Sequence, residues 1–211
     1  MMLTLALIAL LQIATEIGPA DTIELLPAGA AAPPKTIALD RDQRLILQVI
    51  VIAPGDDSEV EKMGVKALNQ PPNRWEREQP NLFVTAERVG SDGKREPAHT
   101  RVFYTGAGQS LREHFASISI ELADEPEVRK QRIRDYFSAV MGGKTSAEGA
   151  VAYMDPMYVA NPVGSYRVTI SYRPKAGVFA GKTLARTFTI DVKKGPDSLD
   201  KMSAVGVTTS S

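Results

Sequence analysis

His99 and His114 are the only histidines in the 211 residues, and they are the first side chains to weigh for chemistry. An imidazole titrates near neutral pH and can serve as a general base or a metal ligand. The flanks Pro97-Ala98-His99 and Arg112-Glu113-His114 contain no His-Glu-x-x-His spacing, so no zinc pair on one helix face follows from them. No Ser–His–Asp set or carboxylate pair can be assembled from spacing alone. The ordinary reading of each is a surface or hydrogen-bonded histidine, and no catalytic residue is assigned.

Two glycine-containing segments imitate nucleotide motifs. Ser138 to Thr145 ends in Gly142-Gly143-Lys144-Thr145 like a phosphate-binding loop, but Ser138 stands where the first glycine is required and the segment follows a helical pattern. Gly106-Ala107-Gly108 is half of a dinucleotide fingerprint, with no third glycine and no βαβ setting. A helix end and a turn explain them, and no cofactor is implied.

Acidic oxygens cluster at Asp56, Asp57 and Glu59, just after Pro54-Gly55. They form a calcium candidate whose spacing matches no calcium loop, and a solvated acidic loop is the plainer reading. Cysteine is absent, which removes disulfides, thiolate nucleophiles and Cys-based metal centres. Trp75, the only Trp, sits between Arg74 and Glu76 in a polar stretch, where it could anchor a protein or a sugar ring. Tyr153, Met154, Met157 and Tyr158 make a second stretch unusually apolar for a connection. These five residues are the partner-binding candidates, for a protein or a glycan. Arg129, Lys130, Arg132 and Arg134 crowd one short segment, but Glu125, Glu127 and Asp135 dilute it, and a solvated face is expected.

The 25 basic and 25 acidic residues balance, so no long-range field argues for nucleic acid or an anionic surface. Met1 to Thr15 carries no charged side chain, and Leu3 to Leu11 is densely apolar until Glu16 ends the run. That is short of the roughly 18 residues of a membrane span. With Gly18-Pro19-Ala20 behind it, the run reads as a secretory signal peptide cut near Ala20. A secreted or periplasmic location follows, with no integral membrane segment after cleavage.

The remaining chain must supply the scaffold. Asn161-Pro162-Val163-Gly164 opens into strict alternation, with Tyr166, Val168, Ile170 and Tyr172 on one face, the signature of a strand with one dry face. Phe188, Ile190 and Val192 repeat the pattern. Leu45 to Ala53 is apolar on both parities, so a central strand covered on both faces is expected. Ala116 to Leu122 alternates, Leu82 to Val89 is a further strand, and Ser91-Asp92-Gly93 marks a turn. Pro97 predicts irregular pairing beyond that turn. One helix is expected over about residues 125–141, where Asp124 and Glu127 suit a capping box and Ile133, Tyr136, Phe137, Val140 and Met141 form an apolar stripe. Its natural place is as a lid on the central strand.

At Gly164-Ser165-Tyr166-Arg167-Val168 the chain resembles immunoglobulin-like and fibronectin-like domains. The resemblance covers about 30 residues and implies that Tyr166 takes a corner role, its hydroxyl bonding back to nearby backbone. The fold class is then mostly β, a single Ig-like antiparallel β-sandwich with one inserted helix. Residues 1–20 form the signal peptide, 21–193 the sandwich with a helical insertion over 124–163, and 194–211 a flexible tail. The expected function is a non-catalytic binding or structural module of a bacterial envelope or the extracellular space. The alternatives are a secreted hydrolase using His99 or His114 with a carboxylate, and a periplasmic chaperone or inhibitor acting by edge-strand addition.

Overall fold

The computed structural model describes residues 17–52, 82–109, 113–141, 147–173 and 180–208. The acidic cluster at Asp56, Asp57 and Glu59, Trp75, and the apolar leader through residue 16 lie outside the described residues. Among those residues the strands are β1 (Ile17–Glu24), β2 (Leu26–Pro27), β3 (Thr36–Leu39), β4 (Arg44–Ile52), β5 (Leu82–Val89), β6 (Arg95–Gln109), β7 (Glu113–Ala123), β8 (Gly164–Tyr172) and β9 (Leu184–Val192). The helices are α1 (Pro126–Met141), α2 (Ala147–Met154) and α3 (Ser198–Thr208).

The protein is mostly β, and its strands join in one sheet of order β1-β4-β7-β6-β5-β8-β9-β2, with β3 also on β9. Two segments turn this sheet into a nearly closed, barrel-like wall. Long β6 pairs with β5 over 95–98 and then with β7 over 99–109, so it leaves one partner as it meets the next. At the other corner β1 runs parallel to β4, and after Leu25 the chain joins β9 as β2. Lys35 braces the seam, its Nζ 2.5 Å from Asp21 and 3.2 Å from the Thr22 carbonyl. A wall continuous through β6 differs from two separate stacked sheets.

Alternation drives the core. Leu45, Leu47, Val49 and Val51 of β4 point inward with Ile118, Ile120 and Leu122 of β7, and meet Val168, Ile170, Phe188 and Ile190 from across the barrel. Each fully buried Leu or Ile contributes about 2 kcal/mol by leaving water. The Tyr166 ring joins this core while its hydroxyl donates to Pro162 O at 2.8 Å. At the β5–β6 turn Gly93 adopts φ +79, which a side chain would resist.

Several expectations are corrected here. β4 is not covered on both faces: Gln48 is exposed, Ile46 and Ile50 are half-buried, and Ile52 is 45% exposed. Period-two geometry sends its second apolar set outward, and the helix expected to lie over it packs its apolar stripe on α2 and Leu199 instead, reaching this face only through Arg129 at Glu121. Pro97 sits in register opposite Glu87, and the irregularity falls at Tyr104/Gly106 instead. The 124–163 insertion holds two helices. Residues 194–211, expected to be a frayed tail, contain α3, whose Leu199 is fully buried.

These three helices build a second apolar cluster. Ile133 of α1, Val151 and Met154 of α2, Tyr158, Ala160 and Leu199 form its centre, with Tyr136, Phe137, Met157 and Met202 packed around it. None of these residues belongs to the barrel core. The helical cap and the barrel are therefore two apolar bodies that meet through other chemistry.

Candidate functional site

The meeting point is a cluster of ions on the outer face of β4, β6 and β7. Inward alternation of Ile118, Ile120 and Leu122 obliges Glu121 to face outward, yet it is 0% exposed because the cap lies over it. Arg101 of β6 is directly opposite Glu121 in register, and the Leu45–Ile120 pairing sets Arg44 on its other side. From the cap comes Arg129, whose Nη1 lies 2.6 Å from Glu121 Oε1. Arg44 Nε is 3.3 Å from Oε2, and Arg101 Nη1 is 3.7 Å from Oε1. Asp155, just after α2, receives Arg129 Nε at 2.7 Å and Arg101 Nη2 at 3.1 Å. The arginines also donate to cap carbonyls: Arg44 to Pro156, Arg101 to Asp155, and Arg129 to Asp155 and Tyr158. Phe103 lies between Arg44 and Arg101, its ring centroid 4.6 and 5.2 Å from their guanidinium carbons.

Burial pushes the Glu121 carboxyl above the usual carboxylate range, while the charges of Arg129, Arg101 and Arg44 pull the other way. Burial likewise lowers the Arg101 guanidinium, opposed by Glu121 and Asp155. Every guanidinium in the cluster already donates to a protein oxygen. Such an arrangement holds two bodies in register.

Asn161 extends the joint. It is fully buried, its Oδ1 accepts the Leu122 amide, and its Nδ2 donates to the carbonyls of Asp40, Arg41 and Gln43. Beside this joint Asp197 accepts from the Tyr158 hydroxyl at 3.3 Å, and it lies 3.6 Å from Arg132 Nε and 3.9 Å from Arg41 Nη2. Burial first, and then Asp197, push the Tyr158 phenol far above its ordinary range.

The expected site residues are scattered by this geometry. Met154 is 1% and Tyr158 4% exposed, both within the cap core, and Met157 is half-buried beside them. Tyr153 is 49% exposed. The apolar run thus divides, with most of it needed to pack the cap and Tyr153 left at the surface. His99 Nε2 lies 2.7 Å from Glu125 Oε1, but both side chains are more than half exposed. The His114 side chain is outside the described residues.

A shallow cavity of about 330 Å³ opens elsewhere, beside the β5–β6 turn. Arg88, Lys94, Asp92 and Glu96 line it, so its charges cancel. Arg88 donates to Val163 O at 3.1 Å, and Lys94 lies 3.3 Å from Asp92. Gly164, at φ +152, lets the chain pass close to the Arg88 guanidinium. Among the described residues no group of three or more His, Asp or Glu side chains is placed to hold a metal ion. No helix among them is long and apolar enough to cross a membrane.

Sequence pattern does not single out the ion cluster. Arg129 belongs to the run with Lys130, Arg132 and Arg134 expected to be a solvated face, yet it is 5% exposed, and Arg132 turns toward Asp197 and Asp200. The one hint is Glu121, an acid inside a strong strand eight residues before Arg129. No protein-family model matches the chain, and no curated protein matches it.

Proposed function

We propose that the chain is an exported, non-catalytic binding or structural module of a bacterial envelope or the extracellular space. Export rests on the uncharged apolar run from Leu3 to Leu11 and the small residues through Ala20. A cut after Ala20 leaves Asp21 to Glu24 of β1 paired with Leu47 to Ile50 of β4. The non-catalytic reading is carried by one observation: the charged groups gathered at the cap–barrel joint are all engaged in holding the two bodies together. The exposed Tyr153 on the cap is the contact residue of choice for a protein or glycan. An Ig-like ancestry belongs to the same reading, supported by the Tyr166–Pro162 corner and the β8–β9 pairing.

The test is fractionation followed by capture. The native chain is expected in the periplasm or medium with Asp21 as its first residue. Envelope material retained by it, with or without calcium, is expected to be lost with Tyr153→Ser. A cytoplasmic chain with an intact leader would overturn export, and unchanged capture by the variant would overturn the Tyr153 contact.

The hydrolase reading draws on the His99–Glu125 contact. It is the weaker of the two, because that pair lies outside the described cavity and has no enclosing wall to exclude water. The edge-strand reading has less room still, since Lys35 bridges the outer side of β1.

A further inference from the structure

We propose that the helical cap opens from the barrel as one unit, with the Glu121–Arg129–Asp155 joint as its clasp. Three observations carry this. The two apolar clusters share no residue, so separating them breaks no continuous core. The side chains that cross between them at Glu121 are ionic or hydrogen-bonded, and such contacts lose strength steeply with small displacements. The cap also joins the barrel through short connections: Asp124-Glu125 before α1, residues 159–163 before β8, and residues 193–197 before α3.

Opening keeps Ile133, Val151, Met154 and Leu199 packed together, so the cap remains folded on its own core. What becomes exposed is the outer face of the barrel at Arg44, Phe103 and Glu121, together with the underside of the cap at Arg129 and Asp155. Asn161 stays with the barrel, because it bonds to Leu122 and to three carbonyls of residues 40–43. The pivot on that side therefore falls between Tyr158 and Asn161. Pieces of a fold that open cooperatively below the global unfolding energy reveal themselves in native-state amide exchange.

The experiment is hydrogen exchange with mass spectrometry on the full chain, comparing wild type, Asp155→Asn and Val168→Ala. In wild type, the α1 amides, held only by the small cap core once it has undocked, are expected to exchange faster than those of β8 and β9. Asp155→Asn removes one charge from a partly exposed position, and it is expected to speed cap exchange about tenfold while leaving β8 unchanged. Val168→Ala, in the barrel core, is expected to speed exchange in β8 and leave the cap opening rate alone. Equal exchange rates for cap and barrel in wild type would overturn the proposal. So would an equal acceleration of both by Asp155→Asn, since that is the behaviour of a single cooperative unit. If Asp155→Asn does not fold, Arg101→Gln, on the barrel side of the same contact, carries the same two outcomes.

Discussion

The Leu122 amide donates to Asn161 Oδ1 at 2.8 Å, across 39 residues of sequence and inside a fully buried site. The same side chain donates through Nδ2 to the carbonyls of Asp40, Arg41 and Gln43 at 3.2, 3.1 and 2.7 Å. One amide thus ties β7 to the turn before β4 and to the strand of chain that leads out of the cap. Asn161→Asp keeps the acceptor but loses the donors and sets a charge against three carbonyl oxygens. A loss of about 3 kcal/mol is expected, read from urea denaturation by circular dichroism. A stability within experimental error of wild type would mean that Asn161 does not tie these segments.

Glu121 and Arg129 should behave as a coupled pair. Glu121→Leu leaves the neighbouring guanidiniums with a single carboxylate, and breaking a buried pair from one side costs about 3–5 kcal/mol. The double variant Glu121→Leu, Arg129→Leu is expected to lose less than the sum of the two singles. Additive losses in a double-mutant cycle would show that the contact carries no coupling.

Alkaline pH should unfold the protein through its phenols. Burial raises the pKa of Tyr104, Tyr136, Tyr158 and Tyr166 above the ordinary 10.0. The folded state therefore holds these protons more tightly than the unfolded chain. The resulting stability is fully present below pH 10 and is lost as pH rises through the folded values. Tyrosinate absorbance near 295 nm is expected to appear for these four in step with loss of the far-ultraviolet signal. Their ionisation in a fully folded chain at pH 10–11 would contradict the burial seen here.

Glu121 works in the same direction at acid pH. Its carboxyl is raised above 4.5, so its own contribution is fully present below that value and declines as pH rises through the folded one. Glu121→Gln should accordingly flatten the pH dependence of stability just above pH 4.5. Denaturant midpoints for the two proteins across pH 4–7 check this, and parallel curves would count against it.

Tyr166→Phe removes the hydroxyl that meets Pro162 O at 2.8 Å and keeps the buried ring. About 1 kcal/mol of stability should be lost, with no change in fold. A much larger loss in thermal melts would mean that the corner hydroxyl does more than close one hydrogen bond.

The local elements were legible because each rests on a short-range rule. Alternation placed Tyr166, Val168 and Ile170 on the dry face of β8, where they are buried, and placed Phe188, Ile190 and Val192 likewise on β9. Ser91-Asp92-Gly93 marked the turn, and Ile133 with Tyr136 and Phe137 marked the buried stripe of α1. The second and third helices were less visible. α2 spans only 8 residues, and α3 follows a Gly-Pro break in a polar stretch, so neither shows a long period. The candidate site was the least legible part. Nothing local distinguishes Arg129 from Lys130, and Glu121, though an acid inside a strong strand, does not reveal what covers it.

By itself, then, the sequence determined a mostly β chain, the inward faces of its strands, and the absence of any thiol chemistry. Those follow from side-chain type and from periods of two and 3.6 residues. Only the tertiary structure decided that β6 carries the sheet around a corner, that β4 keeps its outer face partly bare, and that the helices form a separate core. It alone brought Arg44, Arg101 and Arg129 onto Glu121. Arg44 and Glu121 stand 77 positions apart in the chain. The energies of such contacts depend on distance, burial and geometry in space, and no local pattern along the chain encodes those quantities.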